Sequence, residues 1–295
     1  MANLTKRLST NVEGNFFVDE TCINCDTCRQ LAPTTFEEVG EYSAVSLQPL
    51  NPSQELEAYQ ALLACPVRSI GTVTKNKDLL IQAQQSFPIE LAEGVYFNGF
   101  NSEKSFGANS YFIIHPNGNW LIDSPRYVPY LIEAFERMGG IRYIFLSHED
   151  DVADADRFAK RFQATRIIHD ADKDAMPESE WIVTGDDIVQ AAQDFQIIPV
   201  PGHTEGSQAL LYQGKYLFTG DHLWWDRDEA ALGMPLRLVW SSQQLLKSTQ
   251  RLFNFSFEWV LPGHGDRVQL SQARMHQELW RLLETRQMIT VPDNV

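Results

Sequence analysis

The chain has 295 residues, 43% of them apolar, and carries 24 basic against 39 acidic side chains for a formal charge of −15. That is length and apolar content for one large domain plus a small one, and the acidic balance repels phosphate backbones and removes the counterion release that drives nucleic-acid binding. No apolar run is long enough to span a bilayer, and Met1 to Gly14 has neither the apolar stretch of a secretory signal nor the profile of a transit peptide, so a cytoplasmic protein without nucleic-acid or membrane partners is expected.

All four cysteines fall in one segment, as Cys22-Ile23-Asn24-Cys25-Asp26-Thr27-Cys28 and, later, Ala64-Cys65-Pro66-Val67-Arg68-Ser69-Ile70. Staples for the rest of the chain would be scattered, so this grouping points to a cofactor rather than to disulfides. Three thiolates with two residues between each pair can wrap one face of an iron–sulfur cubane while the remote Cys-Pro supplies the fourth corner. A structural zinc knuckle is the rival, although it usually uses two separated cysteine pairs. The segment resembles single-cluster bacterial-type ferredoxins over nearly its whole length, including Ala32-Pro33 after the third cysteine. That resemblance implies one 4Fe–4S cluster held by Cys22, Cys25, Cys28 and Cys65.

From Thr72 to Ser86 the chain is polar and lacks a strand pattern, which predicts a connector. A first domain over residues 1–80 and a second over 81–295 are therefore expected. The second opens with strand-like runs; Tyr111-Phe112-Ile113 and Trp120-Leu121-Ile122 flank His115-Pro116-Asn117-Gly118 and predict a hairpin with His115 facing solvent. Tyr127 to Met138 has helical spacing, a strand runs into His148, and a helix follows Asp154. Arg166 to His169 reads as a short strand with His169 as its polar end. Ser241 to Phe253 reads as a helix, and Val268 to Ile289 as one long amphipathic helix carrying His276.

Four apolar runs end in a small residue and then a metal-type ligand: Leu146-Ser147-His148, Val200-Pro201-Gly202-His203, Phe218-Thr219-Gly220-Asp221 and Leu261-Pro262-Gly263-His264. Imidazole nitrogens and carboxylate oxygens converging from strand ends suit zinc, iron or manganese. Any one of these histidines alone would be an ordinary loop residue, but four repeats of one local pattern favour a metal.

Together with Asn109-Ser110-Tyr111, Leu121-Ile122-Asp123-Ser124 and Pro201-Gly202-His203-Thr204-Glu205-Gly206-Ser207, these stretches resemble the metallo-β-lactamase superfamily over about residues 90 to 270. The resemblance implies an αββα sandwich, an α+β fold, with a metal site at one edge. It does not name a reaction, because the superfamily hosts hydrolases, nucleases, dioxygenases and oxygen reductases. The family's first motif is His-x-His-x-Asp-His, whereas this chain reads His148-Glu149-Asp150-Asp151-Val152-Ala153. Asp150 stands where the second His belongs, and Val152 and Ala153 replace two ligands of the second metal position. What survives is His148, His203 and Asp221, with Asp150 as a fourth ligand or a hydrogen-bonding neighbour and His264 orienting water or substrate. Asp151 and Asp154 are expected to serve the start of the following helix.

Two histidines and one carboxylate with open positions form the facial arrangement of non-haem iron oxygenases. The same positions hold the single iron of the superfamily's persulfide dioxygenases, by resemblance. Three readings follow: a redox enzyme with a mononuclear metal, iron favoured over zinc, supplied with electrons by the cluster; a hydrolase of a small ester, thioester or lactone, with the cluster as sensor or staple; and a degenerate, non-catalytic binding platform. A small-molecule substrate and a redox partner protein are the expected partners. A flavodiiron activity is set aside because the flavin-bearing domain has no counterpart here.

Overall fold

The computed structural model describes residues 2–235 and 237–290, with side chains described to residue 286. The chain divides into two compact units, Met1–Ile144 with Ala153–Ala164, and Phe145–Val152 with Thr165–Val295. Among the described residues, no helix is long and apolar enough to cross a membrane.

In the first unit, strand Phe16–Val18 pairs antiparallel with Ile70–Thr72, and Phe36–Val39 forms a hairpin with Tyr42–Val45. Helix Pro52–Ala64 begins where the Asn51 side chain accepts from Gln54 N and Pro52 fills the first turn. Phe16, Val18, Phe36, Tyr59 and Ile70 make the local core. The expected connector is instead a helix, Lys77–Gln85, started by Asn76 accepting from Leu79 N. Its polar composition conceals a narrow apolar stripe: Leu79, Leu80 and Ala83 pack into this same core.

The unit continues as an antiparallel series, Ile89–Ala92, Val95–Phe97, Tyr111–Ile113 and Trp120–Ile122. The last two form the expected hairpin, with Tyr111 opposite Ile122. His115 in its turn is buried rather than solvent-facing, because its Nδ1 accepts from Asn117 N at 3.2 Å and closes the turn. Helices Pro129–Arg137 and Ala155–Phe162 bury Phe135 and Phe158 against each other, and Phe135 also meets Phe112, with ring centroids 5.8 and 4.7 Å apart respectively.

Strand Tyr143–Phe145 leads the chain into the second unit. There Thr165–His169 pairs in parallel with Trp181–Val183, and His169 ends its strand with Nδ1 accepting from Ala171 N. A six-stranded sheet runs in the order Val189–Ala192, Phe195–Pro199, Gln208–Tyr212, Tyr216–Gly220, Trp259–Pro262, Val268–Gln269. Its one parallel pair, Tyr216–Gly220 with Trp259–Pro262, brings the strand ends before Asp221 and His264 side by side, and Gly263 N donates to Gly220 O at 2.7 Å. Helix Ser242–Arg251, capped by Ser241, makes that crossover. The closing helix is Gln272–Thr290; Val268 and Gln269 belong to the sheet edge, because Val268 pairs with Val260.

Candidate functional site

Asn24 and Asp26 adopt left-handed backbone, with φ of 54° and 68°, and so curl the loop carrying the first three cysteines. Asx residues tolerate that conformation better than most. The buried Arg29 fixes the curl by donating to Asp26 Oδ1 and Asn24 Oδ1, each at 2.6 Å, and to Ser43 Oγ at 2.7 Å. Cys22, Cys25, Cys28 and Cys65 consequently line one pocket, walled also by Val18 and Ile70, and none is in a disulfide. Backbone N–H groups already point at sulfur: Asn24 and Ser43 donate to Cys22 Sγ at 3.4 and 3.5 Å, and Ser69 to Cys65 Sγ at 3.3 Å. Four converging free thiols with N–H···S donors fit an iron–sulfur cluster.

Cys25 is packed from outside the cysteine loop by a distant segment. A Cβ on Gly107 would lie 2.7 Å from Cys25 Cβ and 2.9 Å from its sulfur. The Gly107 carbonyl accepts from Asn101 Nδ2 at 2.8 Å and from Thr27 Oγ1 at 3.3 Å, and Asn101 N donates to Ala64 O at 3.1 Å. Neither Gly107 nor Asn101 carries a local signal, since their role exists only across some eighty positions of sequence.

Burial pushes the Cys25 thiol from 9.0 to about 11, and burial likewise raises Cys28. The folded, iron-free chain therefore holds a neutral thiol that the unfolded chain would ionise. A raised folded pKa contributes stability that is complete below pH 9 and lost as pH climbs towards 11, on the order of 2–3 kcal/mol for Cys25. Thermal unfolding of iron-free protein across that window should show a falling midpoint, with a shallower fall for Cys25→Ser. An identical slope in both proteins would refute the assignment.

In the second unit, Leu146 N donates to Ile167 O at 2.9 Å and Gln208 N to Ser147 O at 2.8 Å, fixing the backbone just ahead of His148. His148, His203 and Asp221 each offer a ligand atom within 4.8 Å of the others. His148 Nε2 lies 3.8 Å from Asp221 Oδ2 and His203 Nε2 lies 3.7 Å from it. Asp150, mostly exposed, places Oδ2 3.2 Å from His203 Nε2 and 3.8 Å from His148 Nε2. Ser147 Oγ bonds to His148 Nδ1 at 2.9 Å, while His148 Nε2 is buried with no hydrogen-bond partner. A buried ring nitrogen left without a partner, facing two carboxylates and a second imidazole, fits a divalent cation.

Electrostatics agree with that donor set at His148 and Asp221. Burial lowers the His148 pKa, keeping the imidazole neutral as a ligand must be. Burial also tends to lower His203, but its bond to Asp150 and the Asp221 charge outweigh this and raise it. At Asp221 burial pushes the carboxyl up, yet His264, His148 and His203 together hold it well below the ordinary carboxylate range.

His264 sits apart from the His148–His203 pair. Its Nδ1 donates to both oxygens of Asp221 at 2.9 Å, and it forms a second group of potential ligands with Asp221 and Asp151. Asp151 is fully buried, and a Cβ on Gly263 would stand 2.7 Å from both Asp151 Oδ2 and Asp221 Oδ1. The absent side chain at 263 leaves room for two carboxylates to converge. Neither Asp151 nor Asp154 fulfils the expected capping role. Asp154 occupies the cap position of Ala155–Phe162 without a capping bond, and its carboxylate accepts from Lys104 Nζ and Tyr127 N instead. His222 turns away from Asp221 to bond Thr249 Oγ1 at 3.0 Å, and burial pulls its pKa down to about 3.

Residues 18–72 match the family described as the 4Fe-4S single cluster domain of ferredoxin I, and residues 93–286 match the metallo-β-lactamase superfamily. The chain is 26% identical to a hydroxyacylglutathione hydrolase of Xanthomonas oryzae pv. oryzae over 143 residues, covering 48% of this chain and 53% of that protein. It is also 26% identical to a hydroxyacylglutathione hydrolase of Xanthomonas axonopodis pv. citri, over 52% of this chain and 58% of that one. The chain thus spans little more than half the length of these curated relatives. Among solved structures, DIM-1 metallo-β-lactamase superposes with a TM-score of 0.51 at 17% identity, over 67% of this chain and 95% of that one. A metallo-β-lactamase family protein from Thermus thermophilus gives 0.50 at 15% identity, over 68% and 81%. These likenesses show the αββα fold. With the second match covering about two thirds of its length, this chain belongs to the metallo-β-lactamase superfamily and carries a single-cluster 4Fe–4S ferredoxin domain ahead of it.

Proposed function

We propose that the protein is a cytoplasmic redox metalloenzyme acting on a small molecule. Cys22, Cys25, Cys28 and Cys65 would hold a 4Fe–4S cluster. His148, His203 and Asp221, with Asp150 as an exposed fourth donor, would hold one further metal, iron in preference to zinc. The observation that carries this reading is the presence, in one chain, of a four-cysteine pocket suited to a one-electron carrier and a two-histidine, one-carboxylate donor set. A metal in that set would supply redox or Lewis-acid chemistry at positions left open for substrate. Within the protein, Ser147 Oγ holds the His148 ring through Nδ1, the bond between Asp150 and His203 Nε2 would give way to a metal held by both, and the neutral His148 stays available as a ligand. The cluster would exchange electrons with a redox partner protein.

A second reading, hydrolysis, draws on the two curated relatives, both hydroxyacylglutathione hydrolases, and on the Asp151–Asp221–His264 group, which offers a second cation a place beside the first. In that reading the cluster is a sensor or a staple.

Metal analysis and EPR on anaerobically purified protein separate the two. Under the redox reading the intact chain holds iron beyond the cluster's four atoms, and His148→Ala with His203→Ala removes that excess alone. Zinc in the second site together with thioester turnover would transfer the case to hydrolysis. Cluster iron with nothing else bound would leave a binding platform.

A further inference from the structure

The first unit contains a cavity of about 330 Å³ that neither the cysteines nor the strand-end ligands account for. Phe17, Leu62, Ile70 and Phe100 form much of its wall. Its volume is at the lower end of the range for small-ligand pockets, with room for roughly ten groups of ~30 Å³ each. Every charged residue in its lining is a cation: Arg68, Lys75 and Arg126. In a chain with 39 acidic and 24 basic side chains, a lining without one carboxylate runs against composition.

Two of these cations have no acidic partner. Arg126 spends its donors on backbone carbonyls, Nη2 on Leu63 O at 2.6 Å and Nε on Phe100 O at 3.4 Å. Arg68 is exposed, held in left-handed backbone with φ of 59°, and makes no ion pair among the described residues. Its guanidinium is near enough to Arg126 to disfavour the charge there, an effect second only to burial. Like charges facing one apolar hollow are relieved by an anion, and the hollow itself by an apolar body.

We infer that this cavity binds a small amphipathic organic anion, its carboxylate or sulfonate head between Arg68 and Arg126 and its hydrocarbon body against Phe17, Leu62 and Phe100. Ile70 walls both this cavity and the four-cysteine pocket, and Cys65 lies within electrostatic reach of Arg126. Neutralising the two guanidiniums therefore removes positive potential beside the sulfurs. Reduction adds an electron to the cluster, so anion binding lowers its midpoint potential. This consequence rests on the cluster reading; the binding itself does not.

The test uses the full chain and 8-anilinonaphthalene-1-sulfonate as fluorescent probe, with decanoate and 1-decanol as competitors. Decanoate should displace the probe at least tenfold more effectively than the alcohol. Arg68→Gln, at an exposed position, should abolish that preference, and Leu80→Trp, which fills the cavity, should weaken probe and decanoate together by tenfold or more. Equal competition by acid and alcohol, or unchanged binding in both variants, would overturn the proposal. In cluster-loaded protein decanoate should lower the midpoint potential of the wild type and leave Arg68→Gln unmoved. Tight decanoate binding with an unmoved potential keeps the site and rejects its coupling to the cluster.

Discussion

Replacing Asp221 by Asn should strip the proposed His148–His203–Asp221 site of its metal while leaving the proposed cluster in place. Asp221 is the one residue common to both groups of potential ligands, His148–His203–Asp221 and Asp151–Asp221–His264. Its Oδ2 faces His148 and His203 at 3.8 and 3.7 Å, and both its oxygens accept from His264 at 2.9 Å. Asparagine keeps the shape but removes the charge, and its amide nitrogen can offer no lone pair to a cation. Loss of partners one layer further out commonly costs 10–100-fold in metal affinity, so loss of this carboxylate should cost at least ~100-fold, or about 2.8 kcal/mol. Asp150→Asn, at an exposed position, should cost roughly tenfold by the same scale. Metal-to-protein ratios after dialysis against a graded chelator would read both. Full retention by Asp221→Asn would sink the assignment of this site, whichever metal it takes.

Gly107→Val should abolish the cluster although residue 107 lies far from every cysteine in sequence. The backbone at Gly107 has φ of +90°, and its Cβ would meet Cys25 Cβ at 2.7 Å, Cys25 Sγ at 2.9 Å and Pro66 Cγ at 3.1 Å. A β-branched residue there carries backbone strain of ~1–3 kcal/mol and also pushes Cys25 out of the pocket it shares with the other thiols. Neighbours cannot give way cheaply, because Pro66 follows Cys65 directly and the Gly107 carbonyl is tied to Asn101 and Thr27. The visible absorbance and EPR signal of the proposed cluster should vanish, whereas metal at the proposed His148–His203–Asp221 site should persist at its wild-type ratio. A normal cluster in Gly107→Val would show that this wall of the pocket yields, contrary to the packing described.

How far the site could be read beforehand depended on whether its signal was local. The Cys22, Cys25 and Cys28 spacing is a property of one short loop, and the left-handed residues that curl it are Asx types already visible in the sequence. The strand-end ligands were legible for the same reason, since an apolar run followed by Ser147-His148, Gly202-His203 or Gly263-His264 states both the strand and its exit. Asp151 reads locally as a helix-start residue, because a carboxylate there has a common role, and only its burial next to Asp221 and Gly263 removes that role. The helix Lys77–Gln85 was missed because its apolar stripe is just Leu79, Leu80 and Ala83 within a polar window, too narrow to show periodicity without the surface it packs against.

The two families, the four thiols, the histidines and carboxylates available as ligands, and the broken first motif are all legible along the chain, because each is written in residues close together. Contacts between distant segments set which carboxylates converge, through the parallel pairing that puts Gly220 beside Gly263, and which glycine packs against Cys25. They also decided that Arg68 and Arg126, fifty-eight positions apart, line one hollow that shares Ile70 with the thiols. The physical reason is common to all three. Burial and close approach are relations between distant segments, and no window of sequence contains both partners.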